Sequence, residues 1–149
     1  MKRGPLFAGF MVLTLWGCAE TVKPRTLSTL DRCTRCRRGI DDVRIGAELV
    51  DTAGRAWAFK TPKCLATYIH EQGEQIAQGT VYVTDHTSGK LIRAESAMFV
   101  NALIDRRTGT RDYIAFRNVA DAVLAAKEHQ SQVVDWLAIR RFVAAEAAD

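Results

Sequence analysis

The chain lacks any apolar run long enough to cross a membrane. The longest, residues 6–16, falls well short of the roughly 20 residues a spanning helix needs. It also lacks a strong charge of either sign. The net charge is +4, and Lys2 and Arg3 supply part of it, so a nucleic-acid partner is not expected. Histidine is scarce: His70, His86 and His129 are the 3 present, and they are scattered. Cysteine is limited to 4 residues with one CxxC pair. A structural zinc knuckle draws four ligands from two CxxC pairs or from CxxC and two spaced histidines, so this pattern argues against one. No Ser–His–acid or metal–His–carboxylate spacing stands out either. Hydrolysis finds no support, and no catalytic residue is assigned.

What is present begins with the N-terminal segment. Lys2 and Arg3 precede the apolar run, and Gly17 and Cys18 close it. This is the layout of a secretory signal. A small residue followed directly by Cys resembles a bacterial lipobox, although Trp16 stands where Ala or Ser is usual. The resemblance implies removal of residues 1–17 and a lipid on Cys18, which would anchor the chain to a membrane. Ala19, not Asp, follows the cysteine. By resemblance to lipoprotein sorting, that implies the periplasmic side of the outer membrane, with the cell membrane as the alternative. The remaining thiols would then sit in an oxidising compartment.

Residues 18–32 read as a flexible tether, and residues 33–149 as the folded part. Ala47-Glu48-Leu49-Val50-Asp51 and Ala56-Trp57-Ala58-Phe59 form an expected hairpin around Gly54. Thr61-Pro62 starts a helix that runs to about Gln72. Thr80-Val81-Tyr82-Val83-Thr84 is the next strand, and Leu91-Ile92 continues extended. A weaker echo follows. Ala97 to Val100 and Asp112 to Phe116 read as strands, Asn118 caps a helix to about His129, Val133-Val134 is a strand, and a last helix starts at Trp136. Ala58-Phe59-Lys60-Thr61 and Ala115-Phe116-Arg117-Asn118 occupy the same place before each helix. The expected fold is therefore α+β, with two related ββαβ units at about 44–86 and 90–136 packed together.

Cys33-Thr34-Arg35-Cys36 can chelate one soft metal ion or close as a disulfide. Cys64 falls at the third position of the Thr61-capped helix. Free N–H groups and the helix dipole there favour a thiolate. A small buried hydrophobe is the alternative reading. Copper(I) accepts two or three soft ligands. A thioredoxin-like redox site would instead place its CxxC at a helix start after a strand, whereas this one precedes the first strand. Arg32, Arg35, Arg37 and Arg38 surround the pair, either as a solvated mobile arm or as a docking surface for an anionic partner.

The ordered set of Cys33-x-x-Cys36 with Ile40, Gly46 to Asp51 with Gly54-Arg55, Phe59, Lys63-Cys64-Leu65, Val83-Thr84-Asp85-His86 with Ser88-Gly89, and Ala94 to Val100 resembles the NosL family. These are accessory lipoproteins of nitrous oxide reductase. The resemblance implies two ββαβ units, one bound copper(I), and delivery of that ion to a periplasmic copper enzyme or its assembly transporter. Two family methionines are missing: Arg38 stands in place of one, and Thr108-Gly109-Thr110-Arg111 fills the stretch of the other. An arginine cannot ligate a cation. The implied ligands become Cys33, Cys36 and Cys64, with Met98 and His86 as replacements, while Met98 also reads as strand core and His86 as a solvated turn residue. Arg35, Arg37 and Arg38 are the expected docking residues. Two other classes stay open: a scaffold that has lost metal binding, and a thiol–disulfide protein.

Overall fold

The computed structural model describes residues 23–149. The expected leader and the lipidation site Cys18 lie outside the described residues. Among the described residues, no helix is long and apolar enough to cross a membrane.

Local sequence sets each element. The elements run β1 (Ala47–Val50), β2 (Ala56–Phe59), α1 (Pro62–Gln72), α2 (Glu74–Ala77), β3 (Thr80–Thr84), β4 (Leu91–Arg93), β5 (Met98–Asp105), β6 (Thr110–Phe116), α3 (Val119–Glu128), β7 (Val133–Val134) and α4 (Trp136–Glu146). In the β1–β2 turn, Asp51 Oδ1 accepts the N–H groups of Ala53 and Arg55 at 2.9 and 2.8 Å. Gly54 takes φ +80°, which a side chain would resist. Thr61 Oγ1 accepts the Cys64 N–H at 3.1 Å, and Pro62 pre-sets the first turn of α1. Asn118 caps α3 through the Ala120 N–H, and Asp135 caps α4 through the Ala138 N–H.

The strands form two antiparallel sheets, ordered β2-β1-β3-β4 and β6-β5-β7. The order second-first-third recurs in both, as two ββαβ units require, with β4 added at the edge of the first. The second hairpin is longer than its sequence signal. β5 and β6 stay paired from Met98↔Phe116 to Asp105↔Thr110, across an irregularity between Leu103 and Asp105. A parallel step joins the units: the His86 N–H donates to the Ala115 carbonyl at 2.7 Å, and Asp85 Oδ1 accepts the Arg117 N–H at 3.0 Å.

One core serves both units. Leu49, Phe59 and Val83 from the first sheet meet Phe99, Tyr113 and Ala115 from the second. Leu65 and Ile69 of α1 and Trp136, Ile139 and Val143 of α4 pack into the same cluster. The other face of β5 and β6 packs under Ala122, Ala125 and Ala126 of α3.

The described part of the expected tether departs from a free arm. Leu27 is buried with Ile40 and Ala58 against the outer face of the first sheet. The Arg25 N–H donates to Glu48 Oε1 at 2.8 Å. A Cβ on Gly46 would meet Leu27 Cδ1 at 2.7 Å, so a glycine lets the segment lie close. This cover leaves Glu48 with no exposed surface and its Oε2 with no partner among the described residues. Burial pushes its carboxyl above the usual range. Sequence reading missed this contact because polar residues such as Thr26, Ser28 and Thr29 mask one buried leucine.

Candidate metal centre

The CxxC segment is a folded hairpin, not a mobile arm. Arg32 pairs with Gly39, the Cys33 N–H donates to the Arg38 carbonyl at 2.9 Å, and the Arg37 N–H donates to the Cys33 carbonyl at 2.9 Å. The turn forces Arg37 into the left-handed region at φ +62°. The Thr34 N–H donates to the Ala58 carbonyl at 2.8 Å and pins the hairpin to β2. Cys33 is thereby fully buried, and Cys36 and Cys64 are half-buried.

The third thiol reaches the pair, which sequence spacing could not decide. The Sγ atoms of Cys33, Cys36 and Cys64 lie within 4.8 Å of one another, and Cys36 and Cys64 are 4.0 Å apart. All three are free thiols. A metal–thiolate bond of about 2.3 Å, the zinc value, would place three sulfurs of a planar site about 4.0 Å apart. The trio therefore stands near the spacing of a three-coordinate ion without bonding to itself.

The electrostatics favour one thiolate at neutral pH, on Cys33. Its pKa falls from 9.0 to about 4. The neighbouring Cys64 thiol lowers it most, and the backbone N–H groups of Cys36 and Lys60 add to this, against the cost of burial. Cys64 is pushed up instead, first by holding the proton shared with Cys33 and then by burial. The Thr61 cap acts on the Cys64 N–H, and Cys64 shares its proton with the neighbouring Cys33 sulfur.

The other expected residues lie apart from this trio. Met98 pairs with Phe116 in β6 and packs with the cluster under α3. His86 lines a cleft of about 370 Å³ with Asp41, Asp42, Lys60, Asp105 and His129, and stacks edge-on against Phe116. Its imidazole is not among the gathered ligand atoms. Arg35 is engaged with Glu71 of α1 in an ion pair at 2.7 Å. Arg37 and Arg38 are exposed, and neither forms an ion pair among the described residues.

No protein-family model and no curated protein matches the chain. Its fold is similar to the crystal structure of the copper chaperone NosL from Shewanella denitrificans, with a TM-score of 0.61. The match covers 77% of this chain and 93% of that one at 17% sequence identity, a likeness of fold alone.

Proposed function

We propose that this chain is a non-enzymatic carrier that holds one copper(I) ion on Cys33, Cys36 and Cys64. The observation that carries this reading is the gathering of three free sulfurs from two separate elements within 4.8 Å. A set of only sulfur donors selects soft ions, and one pre-formed thiolate lowers the proton release that binding requires. The likeness in fold to a copper chaperone supports the same reading. Arg38 is compatible with it because three thiols complete a set without a thioether.

In this reading the ion passes to a periplasmic copper enzyme such as nitrous oxide reductase, or to its assembly transporter. Arg37 and Arg38, exposed beside the trio, would meet an acidic surface on that recipient. A lipid on Cys18 would hold the protein on the periplasmic side of the outer membrane.

The test is titration of the reduced protein with copper(I) against a chromogenic chelator. One equivalent is expected for the parent chain and none for Cys33→Ser. Equal binding by both would defeat the reading. A thiol–disulfide role is the second reading, favoured by the 4.0 Å approach of Cys36 to Cys64. In that case the oxidised protein would carry the Cys36–Cys64 bond and exchange it with a partner's thiols.

A further inference from the structure

The trio draws its sulfurs from a hairpin and a helix, so it exists only while the hairpin lies on α1. The hairpin's backbone is tied to β2 at Thr34, not to the helix. Its ion-pair tie to α1 is Arg35, which sits between the two cysteines. Arg35 Nε lies 3.1 Å from both Glu71 oxygens, and Arg35 Nη2 lies 2.7 Å from Oε1. Glu71 is on α1, two turns beyond Cys64.

We infer that Arg35 and Glu71 are positioning residues whose ion pair latches the CxxC hairpin onto α1 and so sets how tightly the thiol trio holds a metal ion. This rests on the reading of the trio as a metal site. The pair is partly exposed, at 34% and 43% of side-chain surface. Ordinary surface ion pairs add little to global stability, but a guanidinium bonded to both carboxylate oxygens is the geometry that does hold. Its effect falls on a local separation, Cys36 to Cys64, more than on the fold. Lysine cannot replace the planar fork. The guanidinium also lies close enough to interact with the Cys64 sulfur, which places positive charge beside a site that gathers thiolates.

The test uses the full reduced chain and the variants Glu71→Gln, Arg35→Ala and Arg35→Glu/Glu71→Arg. Copper(I) affinity is read by chelator competition. The approach of Cys36 to Cys64 is read separately, without metal, as the yield of their cross-link by a short thiol–thiol linker, mapped by mass spectrometry. Supporting residues behind metal ligands are typically worth 10–100-fold in affinity. That loss is expected for Glu71→Gln and Arg35→Ala, together with a lower cross-link yield, and the charge swap should recover both. Unchanged cross-linking in Glu71→Gln would overturn the latch. If the parent binds no copper yet the cross-link still falls in both single variants, the latch stands and the metal reading fails.

Discussion

The two ββαβ units place different side chains at the same position. Each helix follows its unit's second strand and starts from a capping side chain, Thr61 or Asn118. The third helical residue is Cys64 in the first unit and Asp121 in the second. Asp121 accepts a hydrogen bond from the Thr87 hydroxyl at 3.0 Å and helps tie the units together. Cys64 faces the CxxC hairpin, which is pinned to β2 of the first unit through Thr34 and Ala58. A repeated scaffold thus provides two equivalent helix starts, and the chemistry appears where an extra hairpin adds two more sulfurs.

The largest expected effect tests whether the units are one folding body. Phe59 and Phe99 come from different sheets, are both fully buried and share one cluster. Phe59→Ala and Phe99→Ala should each cost about 3–5 kcal/mol and shift a single urea transition. A second transition, with one unit left intact, would break the account of a common core.

The next effect separates the thiol region from the rest by pH. Cys33 has a lowered pKa in the folded state, so the stability it contributes is fully present above its ordinary value of 9.0 and is lost as pH falls toward about 4. Cys64 has the opposite sign. Its contribution is present below its ordinary value and is lost as pH rises above it. Stability should therefore climb between pH 5 and 8, and Cys33→Ser should flatten that climb. Thiolate absorbance at 240 nm should show one thiolate per chain at pH 7. Its absence there would contradict the shared-proton arrangement.

The smallest effect compares the two caps. Thr61→Ala and Asn118→Ala should each lower stability by about 1 kcal/mol, read by thermal unfolding. Only Thr61→Ala should also weaken copper(I) binding, because only its helix start carries a thiol. Equal loss of binding in both variants would mean that the helix start acts through global stability.

Much of the fold was legible from the sequence because the signals were local. Thr61-Pro62 and Asn118 mark helix starts by their own side chains, and short runs of strand-favouring residues between turn signals mark β1 and β3. The site was legible only as a set of residue types. Its assembly depends on contacts that span the chain: Thr34 to Ala58, Cys36 to Cys64, and Arg35 to Glu71. Nothing in residues 32–38 read as charged and mobile reveals that Arg35 has a carboxylate waiting on a helix. Met98 shows the converse. It has the right chemistry for copper, but β5 turns its side chain into the cluster under α3.

X-ray absorption at the copper edge of the copper(I)-loaded protein tests the central claim most directly. The account predicts three sulfur neighbours at about 2.3 Å, the length of a metal–thiolate bond. A shell of two sulfurs, or one dominated by nitrogen or oxygen, would contradict it.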